Sequence, residues 1–561
     1  MSSSLTNIAA SGLQAAQVAL NTVGNNISNS AVTGYNRETT QLAEMLSGGV
    51  SGNGVSVTGV SRVYDSLIVT QLRSASTSAA ASSAYYGQIS QIDDMLASSD
   101  TDISSMMSKF FSSIQSLSSN ASDSAARQTV IDSANSMVNQ FKSADSYLQD
   151  MDNAVNQSLS SSADEINNYA QQIANLNSQI VRSGGGDASN AMLDQRDELV
   201  SELNGIVGVT ATVQDNNSVN LTFANGLTLV QGSSAYKVQS VPSSADPSQT
   251  TLAYDRGTGT PVEIDPKTLT TGSVGGLLSF RSGALADARN ALGQLALGMA
   301  GSFNAQHEQG VDLNGDAGEK FFDYSEPTVT PNSKNSTGGA SLTATYSDTS
   351  QVKASDYSLK YAGGAWQVTR LSDGATVTAT AGTDDDGNPT LNFDGLSVSV
   401  SGTPTENDKY TLNTVSNVIN SLSVAITDPS KIAAGLDDAD SGESDNRNAE
   451  ALLALQTAKV VGGTAQVVNG VSQVTGGSTL STAYATLVSK IGTETSNADV
   501  TSTAQANIVT QLTTQQQSAS GVNLDEEYID LSRYQEYYQA NAQVLSTAST
   551  LFNSLLTAVA G

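Results

Sequence analysis

GVNLDEEYIDLSRYQEYYQANAQVLSTASTLFNSLLTAV, residues 521 to 559, carries a seven-residue repeat. Leu524, Leu531, Tyr538, Leu545, Phe552 and Val559 recur at that interval, and Tyr534, Ala542, Ala548, Leu555 and Leu556 fill the intervening apolar positions. A helix over this span therefore presents one long apolar stripe, a coiled-coil seam with no partner in its own segment. Its start is well specified. Asn523 with Glu526 three residues on predicts a capping box, and Asp525 to Glu527 place negative charge in the first turn, where the helix dipole favours it.

A complementary seam stands at the other end of the chain. In SLTNIAASGLQAAQVALNTVGNNISN, Ala9, Leu13, Ala16, Leu20, Val23 and Ile27 step by four, three, four, three and four, the spacing of one helical face. Periodicity alone equally describes two surface helices lying on a globular core. Their position at the two extremes of the chain favours a pair that closes the ends on each other.

Between them the chain has three parts. All nine prolines, the single Trp (Trp366) and the single His (His307) lie between Pro242 and Pro429. Proline is excluded from helix interiors, so two helical arms flank a middle of different character. Residues 122 to 183 contain neither Gly nor Pro, and Ile131, Ala134, Val138, Phe141, Leu148, Met151, Val155 and Leu159, then Ile166, Tyr169, Ile173, Leu176 and Ile180, form a seam. Unbroken, such a helix is a rod of about 90 Å, and Ser158 to Ser162 is the expected place for a bend. Helices are also expected from Asp65 to about Leu96, from Asp102 to Leu117, from Met192, around Gly276 to Gln306, and from Asp445 to Gln517 with an interruption at Gly470 to Gly477. Residues 30 to 65, where Gly34, Gly48, Gly49, Gly52, Gly54 and Gly59 break helical periodicity and Val55 and Val57 alternate as in a strand, read as an extended connector.

From Val207, apolar and polar residues alternate around Asn-rich turns, and a second such run spans about Ala340 to Leu412, the pattern of antiparallel hairpins. The fold class is therefore α+β and multidomain: terminal coiled-coil helices and a long helical bundle built from both chain ends, with β-rich domains inserted in the middle. The expected division is 1–45 with 520–561 as the terminal domain, 46–206 with 440–519 as a helical rod, 207–339 with 413–439 as a β-rich domain containing a helix, and 340–412 as a second small β domain. A length of 561 residues is too great for one core and agrees with several domains.

Composition excludes several functions. Lys+Arg 24 against Asp+Glu 54 gives a net charge of -30, a surface that repels nucleic acid and anionic lipid. Cysteine is absent, which removes disulfides, thiol nucleophiles and thiolate metal sites. No apolar run is long enough for membrane insertion, and the N-terminus lacks the layout of a cleavable signal. His307-Glu308 opens like a zinc-protease motif, but Val311 stands where the second His belongs. Asp312, Asn314 and Asp316 are spaced like a calcium loop, with Ala317 at the position that needs Gly and Asp323 at the position that needs Glu. Asp384 to Gly387 reads as an acidic turn and Trp366 as a core residue. No catalytic, cofactor or metal set emerges, and the chain is expected not to be an enzyme.

GNNISNSAVTGYNRETTQ, residues 24 to 41, makes a specific match. Asn25, Asn26, Ile27, Ser28, Asn29, Gly34, Tyr35 and Arg37 resemble the N-terminal motif of the axial proteins of the bacterial flagellum, and the Gly-Tyr-x-Arg spelling is that of the hook-associated kind rather than of hook and rod proteins. SGVNLDEEY and YQANAQVL near the C-terminus agree, as do Arg62-Val63-Tyr64-Asp65, Gln71-Leu72-Arg73, Leu193 to Leu199 and FNAQHEQGVDLNG from Phe303 to Gly315. The resemblance covers both arms and part of the middle, and nothing specific over 340 to 412.

What it implies is a structural protein joining the flagellar hook to the filament, extracellular after export through the type III apparatus. Its terminal helices would be mobile in the monomer and pack as a coiled coil on assembly. The implied partners are copies of itself in a ring, hook protein on one side, the next hook-associated protein toward the filament on the other, and a cytoplasmic export chaperone on the C-terminal helix. Assembly would fall to Leu13, Leu20, Ile27, Leu524, Leu531, Tyr538, Leu545, Phe552 and Val559 through buried apolar area. Asn25, Asn26, Gly34, Tyr35 and Arg37 would shape the turn out of the N-terminal helix and its contact with a neighbour. The alternatives are a hook or distal-rod protein, against which the spelling at Tyr35 and Arg37 and the long helix argue, and a secreted adhesin or binding module carried by the middle β domains.

Overall fold

The structure is a computed structural model that describes residues 2–45, 54–98, 102–184, 188–438, 442–468 and 471–560. Helix α1 (Ser2–Asn29) lies antiparallel against the last helix of the chain, Leu524–Ala560. Gly12 packs on Asn541 and Asn26 bonds to Glu527, the same spacing on both helices, so the pairing keeps one register. Alanines make the close approach possible: Ala9, Ala15, Ala16 and Ala19 are buried together with Thr22 and Val23. The far side of α1 is covered by a hairpin, β1 (Glu38–Glu44) with β2 (Val55–Arg62), where an extended connector was expected. In this register Ser2 stands near Leu551, so the last turns of the C-terminal helix run on past the beginning of α1.

The rod follows from helix signals that the sequence states openly. Helices α2 (Ser66–Ala97), α3 (Ile103–Ser119) and α4 (Ser124–Ser183) begin at Asp65, Asp102 and Asp123, whose carboxylates accept the orphan N–H groups of the first turn. Helix α4 is unbroken over 60 residues, about 90 Å. The bend expected at Ser158 to Ser162 does not occur: Leu159, Ser162 and Ala163 are buried and the apolar seam continues through them. Helix α5 (Ala188–Ile206) folds back along α4.

The middle is built on the rod. Strands Val209–Val213, Val219–Phe223, Leu227–Gln231 and Ser234–Ala235 make one antiparallel sheet, and Lys237–Pro242, Thr250–Asp255 and Val262–Glu263 another. Three asparagines of α4 hold these strands by their backbones. Asn177 bonds to Val219 and Gly232, Asn167 to Val238, and Asn156 to Ser248 and Thr250. Helices α6 (Gly272–Phe280) and α7 (Ala286–His307) are continuous through a wide turn at Arg281–Leu285. Phe110, Phe303, Phe321 and Phe322 pack together at tilted to edge-on ring angles where α3 and α7 meet, each fully buried.

An outer domain follows, with two antiparallel sheets. One runs in the spatial order Thr328–Pro331, Lys409–Asn413, Tyr357–Ala362, Ala365–Arg370, Thr376–Val377, and the other in the order Ser341–Tyr346, Leu396–Ser401, Pro389–Phe393, Thr380–Thr383. Trp366 is only half-buried there, edge-on to Tyr361 and Tyr410. After two short helices, α8 (Val418–Ser421) and α9 (Arg447–Ala454), comes a correction. Val461–Val468 pairs with Val471–Ser478 as an antiparallel hairpin, where an interrupted helix was expected. Helix α10 (Leu480–Ser520) then returns antiparallel along α2, and α11 (Leu524–Ala560) follows after three residues.

Candidate assembly surface and its joint

The N-terminal motif folds into a polar knot that ties both chain ends together. Asn26, 1% exposed, uses every bond its amide has. Nδ2 donates to the Glu38 carbonyl (2.9 Å) and to Glu527 Oε2 (3.0 Å), while Oδ1 accepts from the Tyr35 hydroxyl (2.8 Å) and the Glu38 N–H (2.9 Å). Burial, then the carboxylates of Glu38, Asp194 and Glu527, push the Tyr35 phenol above its ordinary pKa, so it stays a neutral donor.

Arg37 supplies the charge. Its Nε donates to Glu527 Oε1 (2.6 Å), Nη1 to Glu526 Oε2 (2.8 Å), and Nη2 stands 3.5 Å from Asp530. Its backbone N–H donates to the Ser520 carbonyl at 2.8 Å, at the end of α10. Glu527 is itself 1% exposed, so the guanidinium and Asn26 together compensate a buried carboxylate. The capping box expected at Asn523 and Glu526 is therefore half made: Asn523 Oδ1 accepts from the Asp525 N–H, and Glu526 turns to Arg37. Gly34 takes φ +79°, a left-handed turn open to glycine, and brings the loop down on Glu198 of α5. Next to it, Asn36 donates to Asp194 from both its N–H and its amide.

The remaining site residues divide by the face they occupy. Leu13, Leu20 and Ile27 are half-buried on α1, Asn25 is exposed, and Leu531 and Leu545 are half-buried against α1. Thus part of the C-terminal seam has a partner within the chain. Leu524, Tyr538 and Phe552 are 42–49% exposed. Val559 lies in the last turns of α11, outside the residues whose side chains are described. Around the exposed positions stand others that the repeat did not single out: Tyr528, Ile529, Tyr537, Val544 and Leu551. Leu555 and Leu556, intervening positions in the repeat, are exposed with them. The acidic partners Glu527, Asp530 and Asp194 were likewise missed, because nothing local marks a partner hundreds of residues away.

The residues weighed for chemistry are structural. His307 is fully buried, with Nδ1 against the Glu319 carbonyl at 2.7 Å and Nε2 accepting the Ala433 N–H at 2.9 Å. Burial lowers its pKa to about 4, so the ring is neutral. In the loop with calcium-like spacing, the Lys431 ammonium sits 3.1 Å from Asp312 and 2.8 Å from Asp316, and supplies the cation itself. The Asp384 carboxylate accepts from Asp386 and Asn388 and closes a tight turn. No group of three or more metal-ligating side chains occurs among the described residues. Nor is any helix there long and apolar enough to cross a membrane.

Paired chain ends that carry an exposed apolar stripe, with the rest of the chain inserted between them, fit the resemblance to the axial proteins of the flagellum. Family comparison agrees at both ends. Residues 7–36 match the model described as "Flagella basal body rod protein", and residues 514–558 match "Flagellar basal body rod FlgEFG protein C-terminal". Residues 89–322 match "Flagellar hook-associated protein FlgK helical domain", and residues 330–414 match "Flagellar hook-associated protein 1, D2-like domain".

The chain is 51% identical over 562 residues to "Flagellar hook-associated protein 1" of Escherichia coli, with 99% of each covered. It is 51% identical over 567 residues to the protein of that name in Salmonella typhimurium, again with 99% of each covered. The solved "flagellar hook junction protein FlgK from Burkholderia pseudomallei" superposes with a TM-score of 0.72 at 27% identity, covering 80% of this chain and 99% of that one. The chain belongs to the flagellar hook-associated protein 1 family.

Proposed function

We propose that this chain is the piece that joins the flagellar hook to the filament, and that it acts by packing rather than by chemistry. The observation that carries the reading is the run of exposed apolar side chains on α11, which a soluble monomer gains nothing by displaying. In this reading the subunit is exported through the type III apparatus with a cytoplasmic chaperone covering that stripe. It then assembles with copies of itself in a ring, with hook protein on one face and the next hook-associated protein on the other. In this reading the terminal unit, α1 with its hairpin and α11, makes the tube wall, helices α2 to α5 with α10 are the rod outside it, and 207–339 with 413–439 and then 340–412 face outward.

Each apolar side chain fully buried on assembly contributes ~1.5–3 kcal/mol, and about half of that where the monomer already covers half of it. Leu555 and Leu556, 57% and 52% exposed and past the point where α1 begins, are the positions where assembly can be tested without touching the monomer. In a strain lacking its own hook-associated protein 1, the native chain should restore motility. The variant Leu555→Asp/Leu556→Asp should leave hooks bare while the purified monomer melts as the native one does. Restored motility by that variant refutes assembly through this stripe.

A further inference from the structure

Two neighbouring motifs, Arg62-Val63-Tyr64-Asp65 and Gln71-Leu72-Arg73, meet a third from far along the chain, Leu193 to Leu199. Arg62 uses both arms of its guanidinium: Nη1 reaches Asp194 Oδ1 and Nη2 reaches Asp197 Oδ2, each at 2.8 Å. The same guanidinium lies 4.3 Å from the centre of the Tyr64 ring. Arg73 donates to the Asp197 carbonyl at 3.2 Å, and Arg196 stands 3.0 Å from the Asp197 carboxylate. Arg62, Asp194 and Asp197 are 9–15% exposed, so salt and water screen these pairs little.

Their position in the fold gives the cluster its meaning. The chain crosses between the terminal unit and the rod at residues 63–65, from β2 into α2, and at 521–523, from α10 into α11. Arg62 is the last residue of β2 and is paired across the hairpin with Glu38, next to Arg37. The Val63 N–H donates to the Arg37 carbonyl at 2.7 Å. Two arginines thus sit side by side at the base of one hairpin, Arg37 fastened to α11 and Arg62 fastened to α5. Beside them a cleft of about 630 Å³ opens between loop 30–36, α2, α5 and the end of α10.

We propose that Arg62 with Asp194 and Asp197 is a clamp that fixes the angle between the terminal helix pair and the rod, Arg62 being the positioning residue. A planar guanidinium held at both nitrogens resists rotation, which the three-residue link at 521–523 does not. The use of a fixed angle rests on the junction reading, since a subunit set between two tubes must hold its arm at one inclination. The clamp itself is a property of the monomer.

The chain has no cysteine, so spin labels can be placed at will. Thr503→Cys on α10 and Gln535→Cys on α11 are exposed and stand on opposite sides of the joint. Double electron–electron resonance on the full-length monomer should give one narrow distance distribution. Arg62→Gln should broaden it about twofold, with amide protection in α4 unchanged, and Asp194→Asn should broaden it likewise. Arg62→Lys, which keeps the charge and loses the fork, should fall between. A native-width distribution in either Arg62→Gln or Asp194→Asn overturns the proposal. Lost protection in α4 overturns it too, because Arg62 would then be an ordinary part of the bundle core. Since no assembly is involved, these outcomes are independent of whether the variant restores hook tips.

Discussion

Replacing Arg37 with Gln should uncouple the two chain ends while leaving the rod intact. The guanidinium faces three carboxylates, of which Glu526 is 56% exposed, Asp530 is 22% exposed, and Glu527 is 1% exposed. The exposed pair is worth ~0–1 kcal/mol. Breaking a buried pair from one side costs ~3–5 kcal/mol, because the abandoned charge stays buried. Glu527 keeps one neutral donor, Asn26 at 3.0 Å, so the lower end of that range applies, about 3 kcal/mol. At about 1.4 kcal/mol per tenfold change, amide protection in α1 and in the first turns of α11 should fall roughly a hundredfold. Protection in α4 between Val138 and Ile173 should not change. Adding Glu527→Gln removes the stranded charge and should recover part of the loss. Hydrogen exchange read by mass spectrometry on the monomer measures all three variants. Protection of the two ends within about twofold of native in Arg37→Gln, or an equal fall in α4, refutes the view that the pair ties the ends.

Stability should also fall on mild acidification. The His307 pKa is near 4 in the fold against 6.5 for a free imidazole. The unfolded chain therefore binds the proton first, and ~3 kcal/mol is lost as pH drops from 6.5 to 4, with no further loss from this group below 4. Denaturant titrations across that window should show the slope in the native chain and a shallower one in His307→Gln. Gly293→Ala should destabilise by ~1–3 kcal/mol, since a Cβ there overlaps the Val415 carbonyl where α7 crosses the chain; the check is the midpoint of chemical unfolding. Asn177→Ala leaves the Val219 N–H and two carbonyls without their partner in a buried site and should cost ~1–3 kcal/mol per unsatisfied group. Its loss should appear first as exchange in strand Val219–Phe223.

What the sequence disclosed depended on the range of the interaction. The length of α4 was legible because nothing between residues 122 and 183 breaks a helix, and its buried seam is the one its 3.6-residue period implies. The starts of α2 and α3 were legible at Asp65 and Asp102, whose capping bonds span only two or three residues. The hairpin from Val461 to Ser478 was missed although Asn469-Gly470 sits between two valine-bearing runs, a turn signal that the glycines at each end disguised as a gap in a helix. The face of α11 that meets α1 was legible only in part. Leu531, Leu545 and Ala548 turn inward while Tyr537 and Tyr538 turn outward, and an apolar stripe carries no mark of which of its edges the chain itself will cover. Arg37 and Glu527 are 490 residues apart. One of 54 acidic residues could be matched to that arginine only by folding the chain.

Val329 stands opposite Leu412 on adjacent antiparallel strands. The outer domain therefore leaves the body of the molecule and returns to it through the same doorway, two strands wide. Its inner face also packs on the body, where Gln294 of α7 donates to the Val352 carbonyl and Lys353 donates to the Gly462 and Gly463 carbonyls, so the parts away from those contacts are the ones that can be lengthened or shortened while the distance between the two ends stays the same. A foreign domain whose own termini lie about one strand spacing apart could be displayed at the doorway.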